Sequence, residues 1–376
     1  MKVTCLQENL AKGLSVVSRA VATRSTLPIT ANVLIATDNS RLKLAATNLE
    51  IALSCWIGAK VEEEGAITVP NRFLTPFVDS LPNERMELKL VPRSKQVRIE
   101  CGRNQATIGG MDADEFPAIP TVQSDTVIRV EPQALRKALT QVVFAAATDD
   151  SRPVLTGVHV LVEGERLTLA AADGFRLAVH YLTLPDPAPE RLEIIVPARA
   201  MAELSRLLGD VEEPVEMLVN PSRTTVLFRL PAIEMVAQLL QGTFPDYTRL
   251  IPQSYGTRAV VSVSEFLHAI RRAAIFSREG NGIVRLHIQP GEELTPGRLT
   301  ILAKAEEIGG SDSEIDASVD GEAAKIAFNS KYLQDVLSVL EGQVALETTS
   351  PSLPGVLRPV GSDTYVHVVM PMFVQW

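Results

Sequence analysis

Hydrophobic positions recur at helical spacing in three stretches that open alike: VTCLQENLAKGLSVVSRAV, IRVEPQALRKALTQVVFAA and VVSVSEFLHAIRRAAIF. Leu10, Leu14 and Val17 fall three and four residues apart, as do Leu135, Leu139 and Val142, and Phe266, Ile270 and Ala273. Each stretch therefore predicts a short strand followed by a helix with one buried face. Between the helices run segments such as LKLAAT, VHVLVEG, RLTLAA, EMLVN and TVLFRL, bounded by Gly, Pro, Asn and Asp. Alternation with those boundaries predicts strands, so the pattern is α+β, written three times.

The same period appears in longer markers. EEEGAITVPNRFL (62–74) returns as ERLEIIVPARAMAEL (190–204) and more faintly as EAAKIAFNSKYLQDVL (322–337); aligning Pro70, Pro197 and Asn329 gives steps of 127 and 132 residues. RLKLAATNLEIAL (41–53), RLTLAAADGFRLAV (166–179) and RLTILAKAEEIGG (298–310) form a second set, and EFPAIP (115–120) matches TFPDYTRLIP (243–252). A period near 125 is too long for a solenoid repeat, so each copy is expected to be a domain with its own core, over 1–122, 126–252 and 257–376. The helix in VPNRFLTPFVDSL contains Pro76. Either Thr75 caps a helix that begins at Pro76, or the helix is kinked, and local signals leave both open.

Composition narrows the function classes. With 46% hydrophobic residues the 376-residue chain is not disordered, and no run reaches the ~18 apolar residues a membrane span requires. MKVTCLQENLAKGL has no continuous apolar stretch after its lysine, so no signal peptide is expected and the location is expected to be cytoplasmic. Cys5, Cys55 and Cys101 are odd in number and lack metal-type spacing, which predicts free, buried thiols. Asp112-Ala113-Asp114 has no supporting histidine, the five histidines are scattered, and neither a phosphate-cradling G-x-x-x-x-G-K-[ST] segment nor a G-x-S-x-G elbow is present. No metal, cofactor or catalytic residue is expected.

A net charge of −9 argues against holding nucleic acid by bulk charge. Yet the candidate helices carry the basic residues: Lys12, Arg19 and Arg72, with Arg24 just beyond the first; Arg136, Lys137, Arg199 and Arg206; Arg271, Arg272 and Lys331. Acidic residues gather elsewhere, at 62–64, 112–115, 212–213 and 306–320. If three like domains form an arc, two arcs joined end to end close a ring with a basic lining, which holds DNA by enclosing it. The alternative is a multidomain interaction scaffold that never encircles DNA.

The threefold repeat, TRSTLPI (23–29), the VP-plus-helix stretches, AADGFRLAV (171–179), FPDYTRLIP (244–252) and VVMPM (368–372) together resemble the bacterial DNA polymerase III beta subunit family, the sliding clamps. The resemblance runs from Met1 to Met372. It implies a DNA clamp fold of three similar domains, each with two helices and antiparallel sheets, closing as a head-to-tail homodimer around double-stranded DNA. By this resemblance Arg24, Arg72 and Arg199 face DNA, and Ile275 and Phe276 meet Ile108 at the dimer interface, with Ala106 where relatives often carry an aromatic. The implied partners are the DNA polymerase III alpha subunit, the clamp loader, and other polymerases and repair proteins with clamp-binding motifs.

Differences between copies point to a site. Asp173-Gly174-Phe175-Arg176 replaces Asn48-Leu49-Glu50-Ile51, and Asp246 to Leu250 are inserted where the first copy has only Ala118-Ile119. The lack of Gly in the other copies suggests a backbone irregularity peculiar to the middle domain. VVMPMFVQW (368–376) is apolar where a polar tail is usual. The resemblance implies that these features meet as a peptide-binding cleft walled by Leu155, Gly174, Phe175, Arg176, Leu177, Pro245, Arg249, Leu250, Val368, Val369, Met370, Pro371 and Met372. Phe175 stands where a His is frequent, and Phe373 to Trp376 extend past the usual ending, with Trp376 folding into the cleft as one arrangement to test.

Overall fold

The structure is a computed structural model of residues 1–376, all described except positions 25, 125, 150, 210, 279–280, 293–294 and 306–308. Position 25 of TRSTLPI and positions 306–308 of the third marker, the start of its acidic run, thus lie outside the described residues.

The first third of the chain forms β1 (Lys2–Leu6), α1 (Gln7–Val17), β2 (Asn32–Asp38), β3 (Arg41–Thr47), β4 (Ile51–Gly58), β5 (Lys60–Glu63), β6 (Ala66–Pro70), α2 (Asn71–Asp79), β7 (Arg85–Val91), β8 (Gln96–Cys101) and β9 (Asn104–Gly109). The second forms β10 (Ile128–Val130), α3 (Pro132–Val142), β11 (Gly157–Glu163), β12 (Arg166–Ala172), β13 (Arg176–Thr183), β14 (Leu192–Pro197), α4 (Ala198–Leu207), β15 (Val215–Val219), β16 (Thr225–Leu230) and β17 (Ile233–Gln238). The third forms β18 (Thr257–Ser262), α5 (Val263–Ser277), β19 (Ile283–Gln289), β20 (Gly297–Ala305), β21 (Gly309–Gly321), β22 (Ala324–Asn329), α6 (Ser330–Leu337), β23 (Gln343–Thr348), β24 (Gly355–Pro359) and β25 (Tyr365–Val369). The order strand, helix, four strands, helix, three strands thus repeats, with β5 extra in the first copy.

Two compact units emerge, one from Met1–Gln133 with Glu203–Leu239, the other from Ala134–Ala202 with Leu240–Trp376. The first holds a five-stranded sheet, β5-β1-β7-β8-β9, and an eight-stranded sheet, β10-β15-β16-β17-β4-β3-β2-β6. Leu10, Leu14 and Val17 of α1 are fully buried, as the spacing predicts. Gly13 lets that helix close on its sheet, since a Cβ there would sit 2.7 Å from Leu44 Cδ1. The second unit holds a twelve-stranded sheet, β14-β11-β12-β13-β25-β24-β23-β18-β21-β20-β19-β22, on which Phe266, Ile270 and Ala273 of α5 bury their face.

Two sequence readings are settled or corrected. Pro76 lies inside α2, which starts at Asn71, so a helix capped by Thr75 does not occur. Instead Asn71 Oδ1 accepts from the hydroxyls of Thr75 (2.7 Å) and Ser18 (2.9 Å). The turn at Asp173-Gly174 is not peculiar to the middle domain. Asp173 Oδ1 accepts from the amides of Phe175 (2.9 Å) and Arg176 (3.0 Å), and Asn48 Oδ1 accepts from Glu50 (3.0 Å) and Ile51 (2.9 Å) in the same way. Gly174 has φ +91° and Leu49 φ +78°, so the first copy makes the same hairpin turn without glycine. The three cysteines are free and buried, as expected.

Candidate functional site

Two strand junctions within the chain follow one rule. In the first unit β17 pairs antiparallel with β4, from Ile233 opposite Cys55 to Ala237 opposite Ile51, and the amide of Gln238 donates to Glu50 O (3.0 Å). In the second unit β25 pairs with β13, from Tyr365 opposite His180 to Val369 opposite Arg176, and the amide of Met370 donates to Phe175 O (2.8 Å). The backbone is the same; what differs is the side chains around it.

At the second junction Leu155, Leu177, Val366 and Val368 share one buried cluster with Phe244 and Tyr247. Val369 is also buried. These residues form a floor, above which the exposed Phe175 (56%), Leu250 (54%) and Met370 (42%) leave apolar surface in water. Pro245 and Arg249 are exposed, while Pro371 and Met372 are half-buried. The expected cleft residues therefore divide into a packed base and an open apolar rim. The rim loop is built locally: Asp246 accepts from the Thr248 hydroxyl (2.6 Å) and amide (3.0 Å), contacts that hold its carboxyl below the usual range. Its inner side is anchored by Tyr247, whose hydroxyl lies 3.2 Å from His159 Nδ1, while His159 Nε2 lies 3.0 Å from Glu193 Oε1. Because a carboxylate only accepts, a neutral His159 satisfies both contacts with its proton on Nε2, accepting from Tyr247 on Nδ1. The His159 ring also stacks on Phe244, centroids 5.1 Å apart.

Arg176 is part of the base and is not a free cation on the wall. Only 8% exposed, it donates from Nε to Asp173 Oδ2 (3.0 Å), from Nη1 to Asp335 Oδ2 (2.6 Å) and from Nη2 to Phe144 O (2.8 Å). The rings of Tyr332 (4.6 Å) and Phe144 (5.4 Å) lie beside its guanidinium. Three hydrogen bonds and two ring faces compensate for removing the charge from water. The turn is clamped again by Arg152, which donates to Asp173 O (2.8 Å) and whose Nη1 lies where a side chain on Gly174 would go. Burial also raises the Tyr332 hydroxyl above its ordinary range.

Arg152, Phe144, Tyr332, Asp335 and His159 are the participants that sequence reasoning missed. Tyr332 and Asp335 sit three apart on α6, a spacing visible in the chain, but nothing local points that face at residue 176. Trp376 does not fold into the cleft: its ring lies 5.6 Å from that of His287 on β19.

The other expected residues are placed as follows. Arg24 is exposed after α1, Arg72 is exposed on α2 with its guanidinium 4.6 Å from the Phe73 ring, and Arg199 is exposed on α4. Ile108 is half-buried on β9, while on α5 Ile275 is exposed and Phe276 half-buried. Among the described residues no cluster of His, Cys, Asp and Glu has the arrangement of a metal site, and no helix is long and apolar enough to cross a membrane.

Comparison with known proteins agrees with this geometry. The DNA polymerase sliding clamp of Bacillus subtilis superposes with a TM-score of 0.93 at 30% identity, covering all of both chains. The sliding clamp (DNA polymerase III subunit beta) of Pseudomonas aeruginosa, solved bound to griselimycin, gives 0.92 at 29% identity, again over all of both chains. The beta sliding clamp of Staphylococcus aureus (strain Mu50 / ATCC 700699) is 31% identical across 99% of each chain. The fold is therefore a three-domain DNA clamp. Family models of the DNA polymerase III beta subunit match in order, the N-terminal domain at 1–120, the central domain at 129–246 and the C-terminal domain at 248–373. The chain belongs to the DNA polymerase III beta subunit family, the sliding clamps, which act in DNA replication as processivity factors and not as catalysts.

Proposed function

We propose that two copies of this chain close head to tail into a ring around double-stranded DNA, and that the cleft at the second junction receives short linear segments of its partners. Those partners are the DNA polymerase III alpha subunit, the clamp loader, and other polymerases and repair proteins. The domains run over 1–122, 126–252 and 257–376, and the ring works in the cytoplasm, on the nucleoid. Tethering raises the polymerase's effective concentration at the template, so it rebinds before it diffuses away.

One observation carries the ring. Both internal junctions pair the last strand of one third with the strand that follows the 48–51 or 173–176 turn of another. A third application needs a last strand with an open side and a matching acceptor, and β9 is an edge strand of its sheet. Its counterpart is β21, whose residues Gly309–Ala317 pair with β20 on one side and, among the described residues, with nothing on the other. Joining β9 of one copy to β21 of the next satisfies both of these open edges. In the register of the other junctions, Asn104 comes opposite about Ser313, which brings Arg98 and Arg103 of one copy to the acidic Asp312, Glu314 and Asp316 of the other. A groove of about 620 Å³ beside β21, lined in part by Glu265, Glu292 and Asp316, lies at that edge. Ile108 on β9, with Ile275 and Phe276 on α5, supplies the apolar part of this interface, and Arg24, Arg72 and Arg199 line the hole.

The test is retention on nicked circular DNA in high salt, after loading by the cognate loader and ATP, before and after the circle is cut. Release on linearisation is the expected result. Equal loss from circles and linear DNA, with the loader verified on another clamp, refutes enclosure and favours the scaffold reading.

A further inference from the structure

We infer that the cleft continues past Met372, over Phe373 and onto the β19–β22 face beneath Trp376, and that this extension takes an acidic, aromatic-bearing flank of the partner peptide. The inference rests on the cleft reading above and specifies what the site recognises beyond it.

Phe373 is 91% exposed, more than any other large apolar side chain among the described residues. It is not the product of a loose segment, because the chain is held on both sides of it. The amide of Met372 donates to Ala327 O of β22 (2.8 Å), and the Trp376 ring lies beside that of His287, tilted by 49°. Large exposed apolar side chains that adjoin one another mark interaction sites, and Phe373 stands along the chain between the exposed Met370 and Trp376. Continuity with the rim points to the occupant, since Phe373 follows directly from Met370, Pro371 and Met372.

The chemistry of the occupant follows from the strands beneath. On β19, Arg285 and His287 alternate with the buried Val284, Leu286 and Ile288, so both belong to the side of the sheet away from α5. Across the ladder Lys325 pairs with His287, and Ala327, the residue that holds Met372, pairs with Arg285. Arg285 Nε is buried and has no hydrogen-bond partner among the described residues. The β19–β22 edge of this face is thus basic with an aromatic border, while Asp312 and Glu314 lie on the same face further in, on β21. A carboxylate-bearing flank gives the exposed Lys325 an oppositely charged partner, and an aromatic side chain packs on Phe373.

The test uses the clamp-binding segment of the DNA polymerase III alpha subunit, synthesised bare and with Asp-Glu-Phe appended at one end or the other, titrated against the full-length protein. One flanked probe is expected to bind about tenfold tighter than the bare one, in the range of a single interface anchor. Phe373→Ala and Lys325→Glu should each remove that gain while leaving the bare probe's affinity unchanged. Met370→Ala should weaken both probes. Equal affinity of bare and flanked probes for the unaltered protein, or a gain that survives Phe373→Ala, overturns the extension while the cleft stands. Failure of the bare probe to bind, or its indifference to Met370→Ala, overturns the cleft reading and the extension with it.

Discussion

Removing the Arg176 side chain perturbs the site at its most enclosed charge. The guanidinium donates to two carboxylates and a carbonyl, at 3.0, 2.6 and 2.8 Å, and Arg176→Ala leaves Asp173 and Asp335 without their cation. One-sided removal from a buried pair costs about 3–5 kcal/mol, chiefly because the remaining charge is stranded. Here the side chain of Asp335 keeps 28% of its surface in water and that of Asp173 keeps 14%, so both recover some hydration once the arginine is gone. The loss should fall at the low end, about 3 kcal/mol. Asp335→Asn keeps the shape and loses the charge, and should cost about 1–2 kcal/mol.

Because the two residues share a contact, the losses must not add. A coupling of about 1–2 kcal/mol is expected from the double-mutant cycle. A chain of several domains need not unfold in one step, so the readout should be local. Native-state hydrogen exchange at the β13 amides bonded to β25 reports the opening free energy of this junction. If Arg176→Ala lowers that free energy by less than about 1 kcal/mol, or Asp335→Asn costs as much without Arg176 as with it, the ion pair does not hold the junction and the argument fails.

Gly174→Ala should cost about 1 kcal/mol and weaken peptide binding several-fold: Leu49 shows that the turn tolerates a side chain at positive φ, but the new Cβ displaces Arg152. An unchanged affinity would mean that Arg152 does not shape the cleft. Burial pushes the Cys5 thiol up to about 12 and Cys55 up to about 11, so at pH 8 neither should react with a disulfide reagent until urea unfolds the chain; rapid labelling of the native protein would contradict their burial. Burial lowers His180 to about 4 and His367 to about 3, below the ~6.5 of an unfolded histidine, so the unfolded state binds more protons in between. Their stabilisation is present above pH ~6.5 and is lost as pH falls toward 4, by about 3 kcal/mol each. Since His180 lies opposite Tyr365 and His367 opposite Ala178, exchange between β13 and β25 should accelerate in that window, and His180→Gln should flatten the dependence.

Much of this molecule is written locally and repeatedly. The helical faces of α1, α3 and α5 follow from single-residue spacing, and the threefold strand order follows from markers that align without gaps in meaning. The residues expected to wall the cleft came from the resemblance; of them Phe175, Leu250 and Met370, which lie in the three stretches that differ between copies, are the exposed apolar ones. What stayed hidden has a common physical cause: it depends on contacts between segments that are not equivalent under the repeat. Asp335 meets Arg176 across 159 residues, and His159 meets Tyr247 across 88, so neither pair leaves a trace in a self-alignment. The turn at 173–176 was misread for the opposite reason, since Asn48 and Asp173 cap it identically and the glycine only looks decisive.

Comparing the junctions separates what folding requires from what the site adds. Both have the ladder and the final amide-to-carbonyl bond, so the backbone pairing alone is enough to join one strand set to the next. At the first, Ile51 is buried and Glu50 is polar, an arrangement that needs no partner. At the second, the same two positions hold a buried arginine, which demands Asp173, Asp335 and the Phe144 carbonyl, and an exposed phenylalanine, which gains nothing from water. The loop from Asp246 to Leu250 is longer than its counterpart and leaves Leu250 outside, while Met370 replaces Gln238 beside the shared hydrogen bond. Phe175, Leu250 and Met370 each trade a self-sufficient surface for an adaptable apolar one. Because the ladder and the Arg176 ion pairs already join the strands, the exposed Phe175, Leu250 and Met370 do not serve that joining; the physical use left for them is contact with another molecule, and that is why this junction, of two built alike, is the one proposed to receive the peptide.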